Sequence, residues 1–419
     1  MKRRLAALLA LWLLAPGPAA RGAEGRIGGY LKLQPAQARH RPDDLAAAFG
    51  DRYPTDLSGD LRLLAEARSG PWEWAVHYEV LALAGDTPAA ARAAARAGSA
   101  PPGGALLPED ERRAVDLTRR LTGDDHVAAV HRLDRLYVGY AAERLVLRLG
   151  RQAVTWGEGL VFHPMDLVNP FPPAAVDTEY KAGDDMAYAQ WLLPGGADLQ
   201  AVIVPRRDPD GADLEAGEST LALKFHGFLA GAGVDLLYAR RHGEDVAGAG
   251  WAVALGGAVW RGAFTLTRLR RGTTAGALVT NLDRSWTWLG RNVHGFAEYY
   301  RDGLGQVHVR PATQDPALAG RLERGETFTL GRDYLAAGLD VEATPLFHLL
   351  PSAIWNLGDG SGLLLGWFRY DWREDLVLTG GLTLAVGPGG TEFGGWRPRP
   401  GAPLAAPGQA AWLRAAWYF

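Results

Sequence analysis

The sequence predicts an all-β chain: a transmembrane antiparallel β-barrel of about 18 strands, with 16 as the alternative count. Three observations carry this. The chain starts like a secreted protein, yet has no later run long enough for a membrane helix. Glycine is abundant at 54 of 419 residues, beside 15 Trp and 13 Tyr. Apolar and polar residues alternate over segment after segment, and the connections are short and long by turns.

The start has three parts. Lys2, Arg3 and Arg4 are basic, LAALLALWLL at 5–14 is apolar, and PGPAARGA follows with small residues. This is the layout of a secretory signal over residues 1–23, too short in its apolar part for a permanent membrane helix. The rest, 24–419, reads as a single barrel domain. The chain has no cysteine, so a secreted fold must hold without disulfides. A closed barrel does so, because each strand pairs on both edges. The formal net charge is −3, and the basic residues are spread along the chain. That pattern gives no footprint for nucleic acid.

The last strand shows the alternation best. In QAAWLRAAWYF (409–419), Ala411, Leu413, Ala415, Trp417 and Phe419 share one face. Trp412, Arg414 and Tyr418 share the other, so lipid and lumen sides are separable by period two. In chain order, the strands expected are 26–34, 58–68, 72–83, 127–140, 143–153 and 184–192. Then come 197–206, 218–228, 231–241, 250–260, 263–271 and 277–287. The last six are 293–303, 332–343, 346–357, 361–371, 374–386 and 409–419. Short turns are expected at 69–71, 141–142, 193–196, 229–230, 261–262, 344–345 and 372–373. Longer connections fall at 35–57, 84–126, 154–183, 207–217, 242–249, 304–331 and 387–408. Short turns on one side and long loops on the other are the asymmetry of a membrane barrel, with both termini on the short side. Within 84–126, the Ala- and Arg-rich 87–99 suggests a short helix and 111–121 a strand extension. No composition break marks a second domain, and too little sequence precedes the first strand for a plug domain.

One connection is unusual. HPMDLVNPFPP (163–173) holds four prolines in eleven residues, inside GRQAVTWGEGLVFHPMDLVNPFPPAAVDTEYKAGDDM (150–186). Long loops in compact proteins are usually functional or disordered. Trp156, Leu160, Phe162, Leu167, Phe171 and Tyr180 give this one material to pack, and its prolines limit the backbone. A wide barrel needs something to narrow its lumen before it can select. We therefore read 154–183 as a constriction loop that folds inward and displays Asp166, Asp177, Glu179, Lys181, Asp184 and Asp185. The strands before it carry Arg132, Arg135, Arg144, Arg148 and Arg151. Those pointing inward would either face the acidic loop across a gap, setting a transverse field, or brace the wall by pairing with its carboxylates.

The residues Gly150-Arg151-Gln152, Trp156-Gly157, Asp166, Asn169-Pro170-Phe171, Asp177, Glu179-Tyr180-Lys181 and Gly183-Asp184-Asp185 carry a resemblance. Over about residues 130–190 the chain resembles a group of proteobacterial outer-membrane barrels of porin and alginate-export-like type. The resemblance implies an outer-membrane channel and brings no defined ligand set. The terminal strand ending in Phe419 likewise resembles the end of bacterial outer-membrane proteins, which implies delivery by the barrel assembly machinery. The surroundings implied are outer-membrane lipid and lipopolysaccharide.

Other constellations are weaker. Asp208, Asp210, Asp213 and Glu215 gather near Gly211, the oxygen ligand type that Ca²⁺ takes, but without the spacing of a full EF-hand loop. An acidic external loop is the plainer reading, so no metal is assigned. His163 with Asp166, or Asp124, Asp125 and His126, lack a third partner for catalysis. GLG (303–305) and GDGSG (358–362) are turn glycines. The sequence thus points to a non-enzymatic channel without cofactor, passing small, anionic or saccharide-type solutes. The alternative is an envelope or surface-polysaccharide assembly barrel without an open pore.

Overall fold

The alternation is realised as strand along nearly the whole chain of a computed structural model. It describes residues 24–99, 106–122, 124–309, 315–398 and 402–419; the signal-like segment 1–23 lies outside them. The strands are β1 (Glu24–Arg39), β2 (Thr55–Ser69), β3 (Trp72–Gly85), β4 (Thr118–Thr122), β5 (Val127–Ala141), β6 (Leu145–Gln152) and β7 (Asp184–Leu192). They continue as β8 (Asp198–Val204), β9 (Thr220–Leu229), β10 (Ala232–Arg241), β11 (Glu244–Leu255), β12 (Ala258–Arg268) and β13 (Thr274–Trp288). The last are β14 (Arg291–Asp302), β15 (Asp333–Thr344), β16 (Phe347–Asn356), β17 (Gly362–Arg373), β18 (Leu376–Val386) and β19 (Gln409–Tyr418). Three short helices lie in long connections: α1 (Leu45–Phe49), α2 (Asp86–Arg96) and α3 (Pro316–Glu323).

Each strand pairs antiparallel with its neighbours, and β1 pairs with both β2 and β19. The sheet therefore closes on itself as a barrel of eighteen strands. The short β4 is an extra: it pairs with Ala129–Arg132 of β5, while β6 takes Leu136–Ala141. This is the strand extension expected within 111–121. Closure is complete to the final residue, since Gly29 and Phe419 exchange both backbone hydrogen bonds, at 2.9 and 3.0 Å. Among the described residues, each of the eighteen ring strands is paired on both edges, and only the short β4 keeps a free one.

Period two sorts the side chains. Leu147, Leu149, Leu335, Leu339 and Leu413 are exposed outward, while Tyr334 and Ala336 are buried within the lumen. Trp72, Trp191, Trp260, Trp288, Trp372 and Trp417 all lie outward and exposed near the short-turn end. Such a ring is the aromatic girdle of a membrane barrel.

Six turn positions are shifted from expectation, two of them by a single residue, from 229–230 to 230–231 and from 344–345 to 345–346. The hairpin expected to turn at 261–262 turns at Gly256-Gly257, with φ of 56° and 86°. The loop expected over 242–249 is a two-residue turn at His242-Gly243, with φ of 48° and 70°. Both are left-handed pairs, whose twist matches that of the strands they join. Their two strands accordingly run 244–255 and 258–268, not 250–260 and 263–271. Strand β17 runs on to Arg373, so its turn is Glu374-Asp375, not 372–373. The turn after β5 is Ala142–Arg144, one residue later than 141–142.

Candidate functional site: the lumen and its inserted loop

The connection from β6 to β7, 153–183, enters the lumen and is tied to the wall on several sides. Trp156 donates its indole N–H to Gln200 on β8 at 2.7 Å. Glu298 on β14 accepts the backbone N–H groups of Leu160, Val161 and Phe162 at 2.6, 3.0 and 2.8 Å. Asn281 on β13 donates to the Glu158 carbonyl at 2.9 Å and to Glu298 at 3.0 Å. The Phe162 ring stacks on Tyr300, with centroids 4.4 Å apart. At the opposite side, Lys32 on β1 binds Asp177 and Glu179, both at 2.8 Å. Two β19 side chains join it: Tyr418 donates to Glu179 at 2.9 Å, and Arg414 pairs with Asp177. One loop thus bridges the β1–β19 seam to β8, β13 and β14.

Its interior is packed as a small core. Trp156, Phe162, Met165, Leu167 and Val168 are buried against inward apolar residues of the wall, among them Val202, Val204, Ala239 and Val279. Met165 has no exposed surface. Each large side chain buried in this way contributes about 1.5–3 kcal/mol relative to exposure. The prolines of 163–173 shorten the list of alternative loop shapes, and Asn169 takes the left-handed region (φ 48°) that its residue type tolerates.

Lys181 donates to both oxygens of Asp166 at 2.6 and 2.5 Å and to the Val154 carbonyl at 2.6 Å. Burial pushes Asp166 up and Lys181 down, and their contact opposes both shifts. Asp166 is thereby occupied, leaving His163 without a carboxylate partner; burial, then the charge of Lys181, pushes His163 down. Burial would raise Asp177, yet Lys32 and then Arg414 hold it below the usual carboxylate range.

The arginines expected at the site have defined partners. On β5 a bulge leaves Asp134 without an opposite residue on β3, where His77 faces Arg135 and Tyr78 faces Leu133. Arg132, Asp134 and Arg135 are all buried in the lumen as a result. Asp134 receives Arg62 at 2.8 Å, Arg135 at 2.5 Å and the Gly183 N–H at 3.0 Å, with Arg132 at 3.0 Å. Tyr180 of the loop covers Arg62, its ring centroid 4.6 Å from the guanidinium carbon. Arg148 pairs with Glu73 at 2.5 Å. Arg151 pairs with Asp110 at 2.5 Å and Asp185 at 2.9 Å, and Arg206 pairs with Asp184. These groups meet in contact, not across an open gap, so they brace wall and loop. Arg144 is not among them: it sits exposed in the turn 142–144. The acidic stretch 207–218 forms a turn in which Asp208 accepts the Ala212 N–H at 2.7 Å. Among the described residues no three His, Cys, Asp or Glu side chains converge on Asp208, Asp210, Asp213 or elsewhere as a metal site.

Sequence reasoning passed over Lys32, Arg62, Glu79, Asp134, Glu298 and Arg206. Lys32, Arg62, Glu79 and Glu298 each lie at an inward position between apolar neighbours, Lys32 between Leu31 and Leu33 for example, whereas Asp134 sits at a bulge beside Arg135 and Arg206 lies beyond the end of β8. A charged residue at a lumen-facing step was the available signal.

Above the loop, on the long-connection side, lies a cavity of about 560 Å³ floored by Leu167–Asn169. Seven arginines and His242 line it against four glutamates. The excess is one of lining side chains only, since Asp110, Asp184 and Glu326 behind them pair with Arg113, Arg206 and Arg241. At its side, burial would raise Glu326, but Arg241, then Arg324 and His242, bring it down to about 2. Burial, against Glu326 and aided by Arg241 and Arg324, takes His242 down to about 4.

No family model matches this chain, and no curated protein sequence matches it. Solved structures do. OccAB2 of Acinetobacter baumannii aligns at a TM-score of 0.51 and 10% identity, over 94% of this chain and 98% of that one. A BenF-like porin from Pseudomonas fluorescens Pf-5 gives 0.51 and 8%, over 94% and 98%. Wzi of Escherichia coli, an outer-membrane, carbohydrate-binding barrel involved in group 1 capsule assembly, gives 0.50 and 11%, over 95% and 85%. At such identities the likeness is one of architecture: the chain shares the closed antiparallel barrel of porin-type outer-membrane structures.

Proposed function

We propose that this protein is a porin-like channel of the bacterial outer membrane, passing small anionic or saccharide-type solutes without cofactor or covalent chemistry. One observation carries the reading. A single loop crosses the lumen of an eighteen-strand ring, tied to walls on opposite sides, beneath a cavity with an excess of arginine. Such a loop sets the width of passage, and such a cavity concentrates anions above it. The signal-like start and the girdle of tryptophans support an outer-membrane location. The same location makes lipid and lipopolysaccharide the surroundings, and makes the strand ending in Phe419 the segment offered to the assembly machinery. Asp166, Asp177, Glu179 and Lys181 set the loop in place. Arg132, Arg135, Arg148, Arg151, Asp184 and Asp185 stiffen the wall behind it.

A second reading is an envelope or surface-polysaccharide assembly barrel that stays shut. What favours it is the apolar packing of Trp156, Phe162, Met165 and Leu167 across the middle of the lumen. Conductance separates the two. The refolded protein is placed in a planar bilayer, beside a Glu298→Ala variant and a deletion of 160–178. A channel gives steady anion-preferring current, rising at least about twofold once the loop loses its Glu298 tie. A silent barrel that inserts normally, and stays silent in both variants, sinks the channel reading in favour of assembly.

A further inference from the structure

Arg240 and Arg268 stand on the outside of the barrel at its long-loop rim. Each follows a buried, inward residue, Ala239 on β10 and Thr267 on β12, so alternation turns both outward, where they are exposed. The register sets them in one row. Arg240 lies opposite Asp245 of β11, and Asp245 lies opposite Arg268. Two strand spacings, about 10 Å, part the two arginines. Among the described residues, neither of these two guanidinium groups has an ion pair or hydrogen bond. Arg301, the next outward arginine along the rim, differs: it is taken by Asp333 at 2.8 Å. The one acid in the row, Asp245, accepts a hydrogen bond from Tyr238 at 3.1 Å.

Below this row the same outward face is apolar, with Leu236, Phe264 and Leu266 exposed. Free guanidinium groups one step above an apolar strip match an amphiphile with phosphates at headgroup height and acyl chains beneath. Arginine's planar fork suits phosphate better than a point charge would. We propose that this rim is a docking site for a phosphorylated glycolipid of the outer leaflet, its phosphates held by Arg240 and Arg268 and its chains laid on the strip. The proposal rests on the outer-membrane reading above.

The test uses the full-length protein in nanodiscs, with diphosphoryl lipid A or its dephosphorylated form as probe and native mass spectrometry to count retained lipid. The variants are R240E/R268E and the milder R240Q/R268Q. The control is Arg284→Glu, which alters an exposed, outward arginine at the opposite end of the barrel. Wild type and control retain the phosphorylated lipid about tenfold over the dephosphorylated one, and in both rim variants the ratio falls to about one. Equal ratios in wild type and rim variants overturn the site. Displacement of the lipid by inorganic phosphate alone also overturns it, since the site would then be one for free anions. Fractionation keeps the two ideas apart. Wild type recovered outside the outer membrane defeats the location, whereas an outer-membrane barrel with no phosphate preference defeats only the docking site.

Discussion

Asp134 is the residue on which the charged wall turns. It lies between three arginines from β2 and β5 and also accepts the N–H of Gly183, where the loop leaves the lumen. Removing one member of a buried ionic group leaves the others uncompensated, at a cost of about 3–5 kcal/mol. Asp134→Ala should therefore lower the urea midpoint sharply and loosen the loop's exit; a midpoint within error of wild type refutes this role. The sequence held half of this. Arg132 and Arg135 are visible as charges, but three residues apart they fall on opposite faces of a regular strand. Only the bulge at Asp134 brings both inside. Their partners could not be read off at all: Arg62 meets Asp134 two strands along the ring, and Lys32 meets Asp177 from wall to loop, and no local pattern encodes that.

Strands and turns were far more legible than the lumen. Sixteen of the eighteen barrel strands were expected within a few residues of where they lie, because successive side chains alternate between two unlike faces; the two expected at 250–260 and 263–271 were set up to about six residues too late. The two largest misplacements, at 242–249 and 261–262, have a common cause. GWAVALGGAVW reads as one apolar run, and its central Gly256-Gly257 was passed over as an interruption. Paired glycines between alternating residues are in fact a hairpin signal. A side chain at Gly257 would have to adopt φ near 86°, although nothing crowds it. Gly257→Val should cost about 1–2 kcal/mol through backbone strain alone. The check is the unfolding midpoint of that variant against one with Asn there, a residue suited to such φ; equal midpoints would count against strain as the cause.

For the whole molecule, the outer loops close over the cavity through groups that respond to acid. His242, in the β10–β11 turn, titrates near 4 in place of its ordinary 6.5, so the folded state binds fewer protons in between. Its contribution is complete above 6.5 and is lost as pH falls through 4. Glu326, near 2 in place of 4.5, contributes fully above 4.5 and loses this as pH falls through 2. The segment 315–332 should be well protected from hydrogen exchange at pH 7, less so at pH 5 and least at pH 3. The β14 and β15 amides serve as the unchanging reference. A flat profile over that range would remove these two groups as its fastening. Nothing in the sequence linked His242 to Glu326, since the loops that bring them together are 84 positions apart.

The seam between β1 and β19 is where the ring closes. It joins the first strand of the barrel to the last, and Phe419 finishes it through its paired backbone bonds with Gly29. Lys32 stands on one side of that seam, Arg414 and Tyr418 on the other, and Asp177 and Glu179 hold all three. The loop is thus a clasp over the final joint. A clasp that grips both sides of the joint makes the two one fastening, so whatever frees the loop also loosens the ring where it closes.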